Sequence, residues 1–272
     1  MIKGTNTGSY QVIRCAKGDC RTSSHELIGE EPLLIRIDEK PYSVVMRTPG
    51  EEVFHAAGFC LGEGIVDSPN DLITIGFCKD LDPNVIDIRL KPERREEIHD
   101  LLSRRGFVSQ TSCGICGKEM IKDLHQILTP VENGFKVEIS RIFDCISKLS
   151  ENQNYYQRTR GSHAAMIFDD QLKMISFAED VGRHNALDKA IGKVFINRKL
   201  PEAVLLVMSS RISYELVQKA ARAHLPIMIS MSRPTALAAE IGQALNMTLA
   251  CKAKESELIL VCGENRIICD ST

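Results

Sequence analysis

The spacing of apolar residues changes along this chain, and the change divides it into two halves. From residue 163 onward, short apolar runs alternate with amphipathic segments that repeat at the period of an α-helix. The apolar runs predict strands at 203–208, 226–230 and 248–251, after a hairpin with arms at 164–168 and 172–177. The amphipathic segments predict helices near 183–197, 212–224 and 234–246. This alternation is typical of an α/β sheet with helices on both faces and with sites at the strand ends.

The first half of the chain predicts shorter elements. Residues 1–32 are polar and contain a turn between Cys15 and Cys20. Beyond them the pattern predicts a hairpin, a helix with its cap at Thr48, two short strands, a charged helix and two further helices, at 33–46, 53–61, 72–77, 85–90, 92–105, 118–128 and 141–149. We therefore expect an N-terminal extension, a smaller α+β part and an α/β core, at 1–32, 33–130 and 131–272.

The charge balance excludes some classes of partner. The 272 residues include 34 Lys and Arg against 36 Asp and Glu, which leaves no basic field that could hold nucleic acid non-specifically. No apolar run approaches the roughly 18 residues of a membrane-spanning helix, and Met1–Tyr10 lacks the apolar core of a signal peptide. We therefore expect a cytoplasmic protein with no membrane insertion, in which most of the ten cysteines are reduced.

One pair of cysteines lies in a segment of small and polar residues. Phe107 to Gly117 (FVSQTSCGICG) has neither a helical nor a strand period, so it predicts a loop, and it contains Cys113 and Cys116. A structural zinc site would need two further ligands, and a zinc deaminase would need an H-x-E motif, which none of the seven histidines begins. A thioredoxin-like redox pair normally follows a strand, whereas Cys113 follows the polar residues at 109–112, so this interpretation fits poorly. The remaining interpretations are a nucleophilic or sulfur-carrying thiol near a helix N-terminus and a reduced pair packed in the core.

The other cysteines and the histidines carry weaker signals. Five cysteines fall on apolar patterns and are expected to be unreactive: Cys60, Cys78, Cys145, Cys262 and Cys269. Five histidines are expected to be ordinary surface or packed residues: His55, His99, His125, His163 and His224. No role is predicted for Cys15 and Cys20.

Three junctions between a strand and a helix carry hydroxyl and cationic side chains. The first places Arg183, His184 and Asn185 in the first turn of a helix, where the helix dipole disfavours cations unless an anion binds there. The alternative for this junction is an internal salt-bridge cluster of Asp180, Arg183 and Asp188. The second and third junctions contain Ser210, Arg211, Ser213, Ser230, Arg233 and Thr235.

Together the three junctions predict a site for a phosphate-bearing nucleotide at one edge of the sheet. Asp180 or Glu215 could then accept hydrogen bonds from the base or the sugar. No Walker A sequence and no complete G-x-G-x-x-G motif is present, which disfavours a standard ATPase or dehydrogenase.

The ordered set of motifs resembles the formate dehydrogenase accessory sulfurtransferase family, FdhD. The resemblance covers about residues 33 to 268 and rests on RTPGEE at 47–52, GFCLGEGIV at 58–66, TSCGICG at 111–117, EDVGRHNALDK at 179–189, SRISYELVQK at 210–219 and RPT at 233–235. It implies a cytidine-deaminase-like, three-layer α/β/α fold without the deaminase zinc, and a homodimer. Each motif alone is moderately specific, whereas the ordered set is highly specific.

The resemblance also implies an activity. Cys113 would receive sulfur as a persulfide from a cysteine desulfurase, with Cys116 as the second cysteine of the pair. The sulfur would pass to the bis-molybdopterin guanine dinucleotide cofactor of formate dehydrogenase, which this protein would bind as cargo rather than as a permanent cofactor. By the same resemblance, Cys251, Lys252 and Lys254 would touch that cofactor.

Two rival functions make different predictions. A non-catalytic chaperone would hold and deliver the molybdenum cofactor with the two cysteines serving only as contacts. A zinc hydrolase or deaminase would contain stoichiometric zinc. A sulfur carrier with Cys113 as its nucleophile is the function that the sequence favours.

Overall fold

The computed structural model describes residues 6–77, 82–104, 128–254 and 256–269. Its strands are β1 (Thr7–Ala16), β2 (Asp19–Ile28), β3 (Glu31–Ile37), β4 (Lys40–Arg47), β5 (Leu72–Phe77), β6 (Val85–Leu90), β7 (Val137–Glu138), β8 (His163–Phe168), β9 (Met174–Asp180), β10 (Leu205–Arg211), β11 (Ile227–Ser232), β12 (Thr248–Lys254), β13 (Glu257–Cys262) and β14 (Ile267–Ile268). Its helices are α1 (Glu52–Gly62), α2 (Pro92–Glu97), α3 (His99–Arg104), α4 (Ile139–Asn152), α5 (Asn154–Thr159), α6 (Arg183–Ile196), α7 (Tyr214–Arg222) and α8 (Ala236–Ala244).

The largest sheet has six strands in the order β13-β12-β11-β10-β8-β9. Strands β10, β11 and β12 are parallel, whereas β8 runs antiparallel to both β10 and β9. Strand β9 therefore points in the same direction as β10, and the carboxyl ends of β9 to β12 lie at one edge of the sheet. Helices α6, α7 and α8 follow β9, β10 and β11, so their N-termini begin at that edge.

Side chains of this sheet alternate between two cores. Met166 and Phe168 of β8 pack in the core under α4, whereas Ala165 and Ile167 pack in the core that includes α1, α6, α7 and α8. Because helices cover both faces, each central strand is a nearly continuous apolar run. The α/β fold class predicted from the sequence is confirmed.

The N-terminal half joins the same core. Strands β4-β3-β6-β5 form a second sheet, whose buried side chains pack on α1. Helix α1 crosses α6 at a pair of glycines: a Cβ on Gly58 would lie 1.9 Å from the Asp188 carbonyl oxygen, and one on Gly192 would lie 1.8 Å from that of Phe54. The two helices are therefore in backbone contact, which only glycine permits at these positions.

Several elements differ from the prediction. Thr48 does not cap α1: the N-cap residue is Glu51, and Thr48 instead hydrogen-bonds to β9 and α6. The charged helix is split into α2 and α3, with the buried Ile98 at the break. The polar extension forms a long hairpin, β1–β2, that shows no alternation because almost all of it is exposed. Strands β7, β13 and β14 and helix α5 were also not predicted.

Some predictions lie outside the described residues. These are Cys78, the last residue of the charged helix predicted at 92–105, the loop with Cys113 and Cys116, and the helix at 118–128 except for Leu128. The division of the chain into three parts stays a prediction. Within the described ranges, no helix combines the length and the apolar character needed to cross a membrane.

Candidate functional site

The three predicted junctions meet at one edge of the six-stranded sheet. The register aligns Met208 of β10 with Ser230 of β11, and Ser230 with Cys251 of β12. On the other side, His163 at the start of β8 is paired with Asp180 at the end of β9. The sheet therefore brings together the ends of four strands and the first turns of three helices, as expected from the strand order.

Four cations at this edge have no carboxylate partner within the described parts of the chain. Arg211 and Arg233 are exposed, and Arg183 and Lys252 are partly buried. The Nε atom of Arg183 is itself buried and lacks a hydrogen-bond partner there. Burial lowers the pKa of the neighbouring His163, and the positive charges of Arg183 and His184 act in the same direction. The edge is therefore locally positive although the chain as a whole is slightly acidic.

Two helix N-termini at the edge are also unsatisfied by side chains. Helix α6, of 14 residues, begins after Gly182, which has no side chain to accept from the first-turn amides. Helix α7, of 9 residues, begins after Ser213, whose hydroxyl accepts no capping hydrogen bond. Helix α8 differs, because the Thr235 hydroxyl accepts a hydrogen bond from the amide of Ala238 at 3.2 Å. Thr235 is thus a helix cap, whereas α6 and α7 present free amides next to Arg183 and Arg211.

Six of the residues predicted to contact a nucleotide are buried. They are Asp180, Asn185, Ser210, Ser213, Ser230 and Cys251. The hydroxyl of Ser210 donates to the Arg211 carbonyl, and that of Ser230 donates to the Ser232 carbonyl, so both hold the strand ends in shape. Burial raises the pKa of the Cys251 thiol. Their burial disfavours direct contacts with a ligand in this conformation, and the contacts stay a prediction.

Asp180 is the centre of a buried hydrogen-bond network rather than a free acceptor. Its Oδ2 atom lies 2.6 Å from Nζ of Lys189 and 3.0 Å from the amide of Thr48. Its Oδ1 atom accepts from the Gly182 amide and the Asn185 side-chain amide, both at 2.8 Å. The Lys189 ammonium also donates to the Thr48 carbonyl at 2.7 Å. Asp180 therefore fixes the start of α6, which carries Arg183 and His184.

A second buried ion pair involves Asp188, the residue before Lys189 on α6. Nζ of Lys219 on α7 lies 2.7 and 2.9 Å from the two oxygens of Asp188. Burial alone would lower the pKa of Lys219, but the Asp188 carboxylate, together with Glu63 and Glu215, outweighs it and raises that pKa above its ordinary value. The alternative cluster of Asp180, Arg183 and Asp188 is therefore wrong: each acid pairs with a different lysine, which leaves Arg183 available.

Glu179, the residue before Asp180 on β9, faces the opposite side of the sheet. Glu179 accepts hydrogen bonds from the amides of Tyr155 and Tyr156 at 2.8 and 3.0 Å, and from the Ser162 hydroxyl at 2.8 Å. It thereby caps the N-terminus of the short helix α5. Adjacent residues of β9 thus anchor structures in both helical layers.

His184 is held by the carboxylate of Glu215. Its Nε2 atom lies 2.7 Å from Oε2 of Glu215 and 3.5 Å from the Ser213 hydroxyl. The hydrogen bond from His184 lowers the pKa of Glu215. Glu215 is therefore committed to His184, which disfavours its predicted role as an acceptor for a base or sugar. The remaining predicted residue, Lys254, is the last residue of β12 and is strongly exposed.

Sequence reasoning missed four interior residues that shape the site. These are Arg47, Thr48, Lys189 and Lys219, of which Arg47 bonds to Asn84 and Glu52 while nearly fully buried. A local signal existed for Lys189, because it stands among the apolar and small residues Ala186, Leu187 and Ala190. A charged residue inside such a run is rarely buried without a partner. Its second partner, Thr48, is 141 residues away and cannot be inferred from that run.

His55 of α1 is buried beside the two ion pairs and should make stability depend on pH. Burial lowers its pKa well below 6.5, and the nearby Lys189 and Lys219 add to this effect. Below pH 6.5 the unfolded chain therefore binds a proton that the folded protein excludes. The free energy of unfolding should fall with decreasing pH, by up to about 1.4 kcal/mol per pH unit from this group.

Urea unfolding of the wild type and the His55→Leu variant across this range measures the contribution. We expect the variant to lose less stability than the wild type as pH falls. Equal pH dependence of the two proteins would show that His55 is protonated in the folded state or is not buried in solution.

The fold and the site define a layered α/β protein whose sheet edge gathers cations and free helix N-termini. The model of the FdhD/NarQ family matches residues 28–268. The chain therefore belongs to the FdhD/NarQ family. Within the described residues, no group of three or more His, Cys, Asp or Glu side chains is placed to hold a metal ion.

Individual relatives agree with this assignment. The sulfur carrier protein FdhD of Streptomyces coelicolor is 34% identical over 275 residues, which cover 97% of this chain and 96% of the relative. The protein of the same name from Sulfolobus acidocaldarius is 37% identical over 240 residues, covering 87% and 89%. A crystal structure described as a formate dehydrogenase accessory protein from Desulfotalea psychrophila is similar in fold, with a TM-score of 0.77 at 18% identity, over 97% of this chain and all of that one.

Proposed function

We propose that this protein is a sulfur carrier in the maturation of formate dehydrogenase. In this proposal Cys113 accepts sulfur from a cysteine desulfurase and passes it to the molybdenum cofactor, which binds by its guanine dinucleotide at the edge of the six-stranded sheet. The relatives named as sulfur carriers support the sulfur chemistry. The choice of a phosphate-bearing ligand rests on one observation: Arg183, Arg211 and Arg233 lie at the same sheet edge as two uncapped helix N-termini.

The edge suits a pyrophosphate for electrostatic reasons. Arg side chains and free backbone amides are the groups that bind phosphate oxygens in proteins. A carboxylate at each arginine would compete with such a ligand, but the acids nearby are engaged by Lys189, Lys219 and His184. The buried network therefore keeps the cations of the edge available for an anion.

The sulfur step is an exchange at sulfur. The Cys113 thiolate would attack the outer sulfur of a persulfide on the desulfurase, form a new S–S bond and release the desulfurase cysteine as a thiolate. Mass spectrometry of the protein after incubation with a cysteine desulfurase and cysteine tests this step. One added sulfur on the peptide that contains Cys113 is expected, and sulfur found only on other cysteines would contradict the proposal.

Replacing Arg183 by glutamine should weaken binding at the edge. A hydrogen bond to a charged group contributes about 1.5–3 kcal/mol, so the dissociation constant for guanosine diphosphate should rise about 10- to 100-fold. Isothermal titration calorimetry measures this change. Arg198→Gln is the matched control, because Arg198 lies beyond the opposite end of α6 and bonds to Asn70. Equal loss in both variants would point to a general charge effect instead of a site.

A further inference from the structure

The tip of the β1–β2 hairpin stands apart from the rest of the described structure. All residues from Ile13 to Thr22 are exposed, and no residue of either strand belongs to a core. The base of the hairpin is fixed, because Arg158 of α5 pairs with Glu26 at 2.5 Å and donates to the Thr7 hydroxyl at 3.1 Å. Among the residues that the structure describes, the tip is therefore held only through its own two strands.

Cys15 and Cys20 face each other across this tip. The register pairs them directly, their Cα atoms are 4.2 Å apart, and their sulfur atoms form a disulfide. The contrast with the interior thiols is clear: Cys60, Cys145, Cys251 and Cys262 are buried. Burial raises the pKa of Cys145 to about 11, and it also raises that of Cys60. Reagents in solution therefore meet Cys15 and Cys20 before they meet the interior cysteines.

The tip of the hairpin carries more positive than negative charges. Arg14 and Arg21 are neighbours across the strands next to the cysteines but on the opposite face of the hairpin, and Lys17 lies in the turn. Of these, Arg21 is paired with Asp19 at 2.6 Å, which leaves Arg14 and Lys17 without a carboxylate partner in the described structure. Cations beside a cysteine stabilise its thiolate, which is both the nucleophile and the leaving group of exchange.

We propose that Cys15 and Cys20 form a redox-active dithiol–disulfide couple that exchanges with thiols of the glutathione or dithiol-reductant class. A reductant thiolate attacks one sulfur of the Cys15–Cys20 bond, forms a mixed disulfide and releases the other cysteine as a thiolate. A second reductant thiol then displaces the protein sulfur. The protein gains two electrons and two protons and becomes a dithiol, and the reductant becomes a disulfide.

Reduction changes the hairpin tip and leaves the fold intact. An isolated two-stranded hairpin is marginally stable in water, so the tip should open locally once the covalent link is gone. The anchors to α5 lie at the base, six or more residues from the cysteines along each strand, and neither core includes the hairpin. Reduction or oxidation of the Cys15–Cys20 pair should therefore leave the candidate site at the sheet edge unchanged.

Alkylation after equilibration with glutathione tests the proposal on the full-length protein. Samples in mixtures of reduced and oxidised glutathione are quenched with acid, treated with N-ethylmaleimide and analysed by mass spectrometry. We expect Cys15 and Cys20 to pass together from two alkyl groups to none as the mixture becomes more oxidising. Alkylation of both in the most oxidising mixture, or of neither in the most reducing one, would overturn the proposal.

The Cys15→Ser variant separates an intramolecular bond from simple glutathionylation. Closing the Cys15–Cys20 bond releases two glutathione thiols, so at a fixed ratio of reduced to oxidised glutathione, a higher total concentration should shift the wild type toward the dithiol. The variant can form only a mixed disulfide and should respond to the ratio alone. Identical behaviour of the two proteins would also overturn the proposal. The assay involves no molybdenum cofactor, so its outcome is independent of the proposed sulfur transfer.

Discussion

Replacing Cys113 by alanine is expected to abolish the sulfur load of this chain and, with it, the activation of formate dehydrogenase. Persulfide transfer needs a thiolate, and alanine removes the only atom that can form the new S–S bond. Cyanolysable sulfur after treatment with a cysteine desulfurase should therefore fall to the background of protein without desulfurase. Cys269→Ser is the control for a general effect of losing a cysteine, because Cys269 is exposed and carries no assigned role.

The same variants distinguish a carrier from a chaperone. A protein that only holds and delivers the molybdenum cofactor would still activate formate dehydrogenase after both Cys113 and Cys116 are replaced by alanine. A sulfur carrier would not, although its binding of guanosine diphosphate at the sheet edge should be unchanged. Full activation by the double variant would refute sulfur transfer and leave the nucleotide site as a separate question.

Replacing Lys189 by methionine is expected to destabilise the protein by about 3–5 kcal/mol, because it leaves the carboxylate of Asp180 buried without its cation. The lysine side chain is almost fully buried, and the loss includes its hydrogen bond to the Thr48 carbonyl. Urea unfolding followed by circular dichroism measures the change. The first turn of α6 should also loosen, so that binding of guanosine diphosphate weakens in the protein that remains folded.

Two further variants test the cause of this loss. Lys199→Met changes an exposed lysine just beyond α6 and should alter stability by less than about 0.5 kcal/mol. Combining Asp180→Asn with Lys189→Met removes both charges and should cost less than the sum of the single changes. Additive costs would show that the two side chains do not interact and that the network has another origin.

The elements predicted well from sequence are those whose burial pattern is local. Strands β10, β11 and β12 are buried on both faces, so each is a run of apolar residues that needs no knowledge of its neighbours. The hairpin β1–β2 lacks such a signal because both of its faces meet solvent. Strand β13 lies at the edge of the large sheet and shows no regular alternation of buried and exposed residues. It therefore also lacks a local signal that would predict it.

The sequence predicts which strand ends form the candidate site. It does not predict which residues of that site are exposed at the sheet edge and which are held in buried ion pairs. Strand order alone places Arg183, Arg211 and Arg233 at one edge, since parallel strands end together. Whether Asp180 contacts a ligand or a lysine depends on Thr48, which is 132 residues away in the chain. The pairing of Asp188 with Lys219 likewise depends on how α6 packs on α7. Contacts of this kind follow from tertiary packing and leave no periodic trace in the sequence.

Glu179 and Asp180 limit the insertions and deletions that strand β9 can accept. One carboxylate anchors α5 and the other anchors α6, and they reach opposite faces only because they are consecutive residues of one strand. A single-residue insertion or deletion between the β8–β9 turn and Glu179 would exchange their faces, so that the longer Glu179 side chain would meet the donors that fit Asp180 and the shorter Asp180 side chain would meet the start of α5. The length of β9 is therefore far less free to drift than that of the exposed hairpin at the N-terminus, where Cys15 and Cys20 need only remain opposite each other.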